Sequence, residues 1–213
     1  MKNPQDELRP SGGWASPERP RLAPPPPSRR GLMFRAVARA SRLLGRKDLP
    51  RIFPVFNINS RLFWPWLLFA SRLMPFGRLP APLREKLILR TAWNCRSRYE
   101  WGQHVEIALA VGVSEAEIVN LARGPEAIGD PLEAAALRAC DELCHGKLIG
   151  EDTWRILAAR FSEKLLIEIM ILVGHYEMVA AFLINSGIEL EPSIETVLTE
   201  FNIRARTIRA TPV

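Results

Sequence analysis

The sequence predicts an all-α protein. Apolar residues recur at helical spacing in one segment after another, and residues that start or stop helices stand between these segments. No segment alternates apolar and polar residues convincingly over four or more positions, which a half-buried strand would require. With 213 residues, of which 47% are hydrophobic, the chain is long enough for one domain with appendages.

The predicted helices follow one another along a domain at residues 50–191, and most have a start or stop signal of their own. Pro65 breaks or kinks the first helix. Ser114 and Glu117 have the spacing of a capping box, and Gly187 ends the longest apolar helix. The predicted helices cover residues 58–77, 81–95, 97–112, 114–124, 130–146, a segment capped by Asp152 or Thr153, and a segment from Ser162 to Asn185.

Three further segments lie outside that domain. Residues 1–32 are predicted to be a disordered Pro/Arg-rich tail, because residues 1–30 hold eight of the eighteen prolines and almost no periodic apolar pattern. The tail is read either as solvated chain or as a polyproline ligand, and Met33 is an alternative start of the native protein. Residues 33–49 form a basic amphipathic helix that packs on its own domain or lies on a membrane surface. Residues 192–213 are a C-terminal tail with at most a short helix at its start.

The positive charge is confined to the N-terminal part of the chain. Residues 1–50 carry 11 Lys/Arg and 4 Asp/Glu, a net charge of +7, whereas the remainder carries a net charge of −1. The folded part therefore offers no basic surface for nucleic acid. No run of about 18 uncharged apolar residues predicts a transmembrane segment. Three cysteines are too few for a disulfide framework, so we expect a cytoplasmic protein.

One helix carries a candidate active site in the stretch "NCRSRYEWGQH". Ser97, Glu100 and His104 stand at i, i+3 and i+7 and share one face of a helix, with Glu100 and His104 close enough for a hydrogen bond. The neighbouring Tyr99 and Trp101 make the surroundings apolar, which raises the pKa of a carboxyl group. Such a pair suits proton transfer, although Glu and His four residues apart are also a common pair on helix surfaces.

The segment "APLREKLILRTAWNCRSRYEWGQHVEIALAVGVSEAEIVNLA" at 81–122 resembles the carboxymuconolactone decarboxylase family, which includes the alkyl hydroperoxidase D-like proteins. The resemblance extends over about residues 50–191 and includes "LVGHYEMVAAFLINSGIELEP" near the end. It implies an alkyl hydroperoxidase D-like helical bundle that forms homo-oligomers, commonly trimers or hexamers. The apolar stretch "FWPWLLF" agrees with an oligomer, because such a surface is seldom left exposed.

The peroxidase branch of that family carries Cys-x-x-Cys-x-x-x-His and a glutamate twelve residues before the first cysteine. In this chain the histidine is His104, the second cysteine position holds Glu100 and the first holds Ser97. The glutamate is Glu85, whereas Cys95 lies two residues from the first cysteine position and on another face. A dithiol peroxidase needs both thiols, so the absence of this motif argues against peroxidase activity.

The decarboxylase branch resembles this chain more closely, because it has Glu-x-x-x-His on the corresponding helix. The resemblance therefore implies a decarboxylase-like enzyme that acts on a small organic acid or lactone without a thiol, metal or organic cofactor. Two alternatives stay open, a peroxidase or antioxidant protein that uses Cys95 and a non-catalytic oligomeric binding protein. The catalytic candidates are Glu85, Glu100 and His104, and the substrate-binding candidates are Arg96, Ser97, Tyr99, Trp101 and His175.

The remaining two cysteines lie one helical turn apart in "CDELCH". His145 follows Cys144 directly and points away from the face that Cys140 and Cys144 share, so the sequence predicts core thiols and no metal site here. Whether Cys95 meets either thiol is left open by the sequence.

Overall fold

The computed structural model describes residues 8–31, 34–35 and 49–210, with side chains described up to residue 208. These residues contain α-helices and short 3₁₀ turns and no strand, which confirms the predicted all-α class. The basic helix predicted for residues 33–49 lies outside the described residues except at Phe34, Arg35 and Leu49. The helices are α1 Ile52–Phe56, α2 Ser60–Leu73, α3 Ala81–Asn94, α4 Arg98–Ala110, α5 Glu115–Arg123, α6 Pro131–Gly146, α7 Glu151–Ala158, α8 Glu163–Ser186 and α9 Pro192–Ala210.

Several predicted helix boundaries are confirmed by local contacts. The capping box of α5 is complete, since the Ser114 hydroxyl accepts from the Glu117 backbone N–H and the Glu117 carboxylate accepts from the Ser114 backbone N–H. At the start of α6, the Asp130 side chain accepts from the Glu133 backbone N–H at 2.7 Å. Each cap satisfies a backbone donor that has no partner within its helix.

Other boundaries differ from the prediction. The helix α2 continues through Pro65, and α7 begins at Glu151 after Gly150 rather than after Asp152 or Thr153. The largest difference is α9, which has 19 residues where the sequence predicted a tail with a short helix. Its buried Leu198 and Phe201 pack toward α4 and α5, and this tertiary packing stabilises the additional turns.

The central helix of the bundle is α3. Its residues 84–92 are all buried, because α4, α5, α6 and α8 pack around it. The charged side chains in this run need partners from other helices. Lys86 Nζ lies 2.6 Å from a carboxylate oxygen of Glu117 and 2.7 Å from one of Glu133. Arg90 binds Asp141 through two guanidinium nitrogens, at 2.6 and 2.8 Å.

The segment 8–31 contacts the bundle, which differs from the disordered tail that the sequence predicted. The Trp14 ring contacts the rings of Trp93 and Trp101, with centroid distances of 5.7 and 5.9 Å. The Arg96 guanidinium donates to the carbonyl oxygens of Gly12 and Gly13, both at 2.6 Å. An extended segment held by one aromatic anchor and main-chain hydrogen bonds has no helical or strand periodicity, and its composition alone resembles disorder.

A glycine at the end of α8 allows this segment to pass close by. Gly187 has a φ of +68°, a left-handed conformation that strains other residues. A Cβ atom at position 187 would also lie 2.9 Å from the Cα of Pro20. The backbone N–H groups of Arg21 and Leu22 donate to the carbonyl of Ser186, so the chain segments are hydrogen-bonded at this point.

The apolar helix α8 contributes much of the core. It is the one helix of the described residues that is long and apolar enough to cross a membrane by length and composition. Its buried side chains face α3, α4 and α6, which accounts for much of that apolar character. These buried residues are Leu166, Ile169, Leu172, Val173, His175, Tyr176, Val179, Ala180, Leu183 and Ser186.

Replacing Trp14 should destabilise the whole bundle if segment 8–31 is part of the folded unit. We expect Trp14→Ala to lower the free energy of unfolding by about 2 kcal/mol, because a half-buried indole leaves a gap beside Trp93 and Trp101. The matched control is Leu148→Ala, since this side chain is 77% exposed and should change stability by less than about 0.5 kcal/mol. Urea denaturation followed by circular dichroism measures both, and equal small effects would contradict the packed segment.

Candidate active site

The candidate site is centred on a buried carboxylate–imidazole pair between α3 and α4. Glu85 Oε2 lies 2.7 Å from His104 Nδ1, and Glu85 Oε1 accepts a hydrogen bond from Arg84 Nε at 3.0 Å. Burial by itself raises the pKa of Glu85, but the charge and hydrogen bond of His104, together with Arg84, outweigh burial and lower it. Glu85 is therefore an ionised carboxylate at neutral pH.

His104 is fixed in orientation by this contact. Its Nδ1–H donates to the Glu85 carboxylate in the assigned tautomer, which directs Nε2 away from Glu85. The ring also meets the Tyr176 ring edge to face, with centroids 5.1 Å apart and planes at 89°. The nitrogen that is left for proton exchange with a bound molecule is therefore Nε2.

Glu100 has an environment opposite to that of Glu85. The residue is 2% exposed, and neither of its carboxylate oxygens has a hydrogen-bond partner of ordinary geometry among the described residues. Burial raises its pKa well above the ordinary value and the negative charge of Cys144 adds to the shift, while the Ser97 hydroxyl opposes it. Glu100 is thus a neutral, protonated acid at the pH where Glu85 is charged.

The predicted hydrogen bond between Glu100 and His104 is not formed. The imidazole bonds to Glu85 of the neighbouring helix instead. Spacing of four residues places two side chains on one helix face, but it does not decide whether a third group competes for the same nitrogen. Here the ionised Glu85 of α3 binds the imidazole nitrogen, and Glu100 is left without the partner that would favour its charged form.

Two residues that the sequence analysis did not single out belong to this site. Tyr176 lies against His104, and its hydroxyl contacts the Met74 sulfur at 3.3 Å. Burial raises the pKa of Tyr176, and the negative charge of Glu85 raises it further. Arg84 was missed because neighbours in a helix rarely face each other. The signal for Tyr176 was its position next to His175 in "GHYE".

His175 extends the aromatic lining away from His104. Its ring centroid lies 5.3 Å from that of Tyr176, 5.6 Å from Phe69 and 6.0 Å from Trp66, with which it is stacked. Burial lowers its pKa to about 4, so this imidazole is neutral at pH 7. Its Nδ1 has no hydrogen-bond partner among the described side chains and backbone groups. The structure therefore brings His175 toward the site through Tyr176.

The remaining candidates for substrate binding contact other parts of the protein. Arg96 lies in the connection between α3 and α4 and is engaged with Gly12 and Gly13. Trp101 is fully buried in the aromatic cluster with Trp14, and the Tyr99 hydroxyl donates to a Glu191 carboxylate oxygen at 2.8 Å. Neighbouring positions in a helix are about 100° apart, so Tyr99 and Trp101 turn away from the face of Glu100 and His104.

A cavity of about 730 Å³ adjoins this region at Ser97. Its walls combine residues 15–20 of the N-terminal segment, residues 97–99, and the connection from α8 to α9. Arg98 and Glu195 form an ion pair in the wall, with a shortest separation of 2.5 Å. Ser97 lines the cavity, and its buried hydroxyl has no hydrogen-bond partner of ordinary geometry in the described structure and lies next to Glu100.

Residues 61–142 match the sequence profile of the carboxymuconolactone decarboxylase family. This match and the fold confirm the resemblance found in the sequence: residues 61–142 are similar to the carboxymuconolactone decarboxylase family, and the chain has the alkyl hydroperoxidase D-like fold. A comparison with curated proteins found no match.

Solved structures share the fold at low sequence identity. An uncharacterised peroxidase-related protein from Ralstonia eutropha JMP134, with an alkylhydroperoxidase AhpD core, superposes with a TM-score of 0.73 at 14% identity, over 82% of this chain and 94% of that one. An uncharacterised peroxidase-related protein from Silicibacter sp. TM1040 has a TM-score of 0.74 at 11% identity, over 84% and 95%. The debrominase Bmp8, in complex with 2,3,4-tribromopyrrole, has a TM-score of 0.70 at 17% identity, over 86% and 98%.

The raised pKa of Glu100 predicts a specific pH dependence of stability. The native state retains a proton that the unfolded state releases above its ordinary pKa, so wild-type stability falls as pH rises through this window. The Glu100→Gln variant has no carboxyl group at this position and lacks this pH dependence. We expect the free energy of unfolding of the variant, relative to that of the wild type, to rise between pH 5 and pH 8 by at most about 1.4 kcal/mol per pH unit. Parallel urea titrations would measure it, and a constant difference would place an ionised carboxylate at position 100.

Proposed function

We propose that this chain catalyses proton transfer coupled to decarboxylation of a small organic acid or lactone, without using a thiol nucleophile. The observation that carries the proposal is the buried Glu85–His104 contact of 2.7 Å, together with a second buried carboxyl group, Glu100, that has no hydrogen-bond partner of ordinary geometry among the described residues. The pKa of Glu85 is lowered and that of Glu100 is raised, and pairs of groups with pKa values shifted apart are typical of acid/base catalysis. The match of residues 61–142 to the carboxymuconolactone decarboxylase family supports the same chemistry.

Each residue has a distinct role in the proposed reaction. Glu85 holds the His104 ring and stabilises its positive charge when Nε2 takes a proton. Loss of CO2 from a conjugated lactone leaves an electron pair that moves toward the ring carbonyl. Glu100, as the neutral acid, supplies the proton that completes the product, and the carboxylate that remains is reprotonated through His104 or solvent.

The burial of the site favours the release of neutral CO2 from a charged substrate carboxylate. Glu85 is fully buried and Glu100 is 2% exposed, so little water reaches the reacting groups. A substrate carboxylate loses hydration on entering such a site, and CO2 carries no charge that would need it. From His104 outward, the rings of Tyr176, the neutral His175 and Trp66 follow one another in contact, and such an apolar surface suits a small conjugated ring.

The two alternatives from the sequence receive less support from this geometry. A dithiol peroxidase of the family pattern needs thiols at the positions of Ser97 and Glu100. The debrominase Bmp8 has the same fold, so this fold is also found in a protein with another activity. A non-catalytic binding protein needs no neutral acid beside an oriented base, so activity measurements decide between it and the enzyme.

Site variants separate these functions in a screen of small lactones and conjugated carboxylic acids for CO2 release. We expect Glu100→Gln and His104→Asn each to lower kcat/KM by about 10²- to 10⁴-fold, because each removes one proton-transfer group. Glu106→Gln is the matched control, since Glu106 is an exposed glutamate on the same helix. Turnover that survives both site changes, or hydroperoxide reduction with a dithiol reductant, would contradict the proposed chemistry.

We propose further that the chain forms a homo-oligomer, a trimer or hexamer as is common in the family. Large apolar side chains on α2 and α8 are exposed, which supports an interface on these helices. Phe69 lies in this surface and also contacts His175, so the interface would adjoin the site. The exposed residues are Leu62, Leu68, Phe69, Ile167, Ile171 and Met178.

Light scattering after size-exclusion chromatography tests the interface. Leu68 is 66% exposed, so Leu68→Glu should leave the folded chain intact while placing a charge in the interface, and we expect a smaller assembly. Leu148→Glu, at a side chain that is 77% exposed in the connection between α6 and α7, is the matched control and should keep the wild-type mass. A monomeric wild type would rule out the oligomer.

A further inference from the structure

Two cysteines and a glutamate from three helices converge beside the candidate active site. Cys95 directly follows α3, Cys144 lies in the last turn of α6, and Glu177 lies in the middle of α8. Both sulfur atoms and a carboxylate oxygen of Glu177 lie within 4.8 Å of one another, and all three residues are half-buried. Their separations in sequence gave no sign of this cluster.

We propose that Cys95, Cys144 and Glu177 form a binding site for a thiophilic divalent cation, of which Zn²⁺ fits the donor set best. Zinc binds thiolates at about 2.3 Å and carboxylate oxygens at about 2.0–2.2 Å in a tetrahedron, which places neighbouring donor atoms about 3.5–3.8 Å apart. Donor atoms already within 4.8 Å need only small side-chain rotations to reach this geometry. Three protein ligands leave a fourth position for water or another ligand.

The surroundings of the cluster favour a cation. The Glu100 carboxyl group is an electrostatic neighbour of both thiols, and neither of its oxygens has a hydrogen-bond partner of ordinary geometry in the described part of the chain. It is a nearly fully buried polar group that an adjacent cation would stabilise. Lys147 binds Glu177, but its side chain is 67% exposed and is free to move into solvent when an ion replaces it.

The Cys144 thiol has hydrogen-bonding neighbours both inside the cluster and outside it. The Cys95 thiol is the inner neighbour and the Asn94 side chain is the outer one. Asn94 is itself held by Asp141, through a hydrogen bond of 2.7 Å, and Asp141 is held by Arg90. Such outer partners orient the ligands of a metal ion.

The sequence analysis considered a different pair of thiols and predicted no metal site there. Cys140 and Cys144 are one turn apart, but Cys140 is fully buried and its thiol faces the carbonyl of Leu87 at 3.8 Å. His145 contacts the carbonyl of Asp141 instead of the cluster. The site therefore combines Cys144 with donors from α3 and α8, and it does not depend on the reaction proposed for Glu85 and His104.

Cobalt binding to the full-length protein, reduced with a phosphine, tests the site. Tetrahedral thiolate coordination gives intense charge-transfer bands in the near ultraviolet and ligand-field bands in the red, and equimolar Zn²⁺ should abolish them. We expect one ion per chain by metal analysis. Cys144→Ser and Cys95→Ser should each weaken Co²⁺ binding by more than about 100-fold, beyond the about 10-fold expected when the outer partner is lost in Asn94→Ala.

Two further variants test the carboxylate, and one serves as the control. Glu177→Gln should weaken binding, whereas Lys147→Gln should tighten it by releasing Glu177 from its ion pair. Cys140→Ala is the matched control, because it removes the third thiol and should leave the spectrum unchanged. Bands that persist in Cys144→Ser overturn the proposal. The proposal is also overturned if the reduced protein shows no Co²⁺ absorption bands. A Cys95–Cys144 disulfide found by thiol titration after air oxidation would then make the two thiols a redox couple.

Discussion

The rest of this structure depends on the burial of charged side chains on the central helix α3. Arg84, Glu85, Lys86 and Arg90 lie in a helix that is buried on all sides, and an unpaired buried charge is strongly destabilising. Arg84 pairs with Glu85, and the other partners come from α4, α5 and α6, so the requirement for pairing fixes how these helices surround α3. Hydrophobic contacts hold the bundle together, and the ion pairs select one arrangement of it.

The same requirement creates the candidate site. Glu85 satisfies its charge with Arg84 and His104, and this contact fixes the imidazole. Glu100 lies on α4, and because Arg84 and His104 both bind Glu85, burial keeps Glu100 protonated. Proton transfer needs a base and an acid that are both present at one pH. Here the two carboxyl groups differ in protonation because only Glu85 has positively charged partners.

In the N-terminal segment, contacts with the bundle order a stretch of chain whose composition predicted disorder. Prolines and arginines give residues 8–31 the composition of a disordered tail, yet Trp14 completes an aromatic cluster with Trp93 and Trp101, and Arg96 binds its backbone. This contact also changed the role of Arg96, which the sequence offered as a substrate ligand. A single anchor residue cannot be recognised without the surface that receives it.

The sequence by itself determined the all-α class, most helix boundaries and the capping box at Ser114, and the family resemblance singled out Glu85 and His104 as candidates for one site. These follow from helical periodicity, from caps that act within four residues, and from a motif with fixed spacing. Only the tertiary structure decided that Glu100 stays unpaired, that Tyr176 lines the site, and that Cys95 meets Cys144. Periodicity tells which side chains share a face of one helix, whereas the facing helix is chosen by packing and charge pairing across the whole bundle.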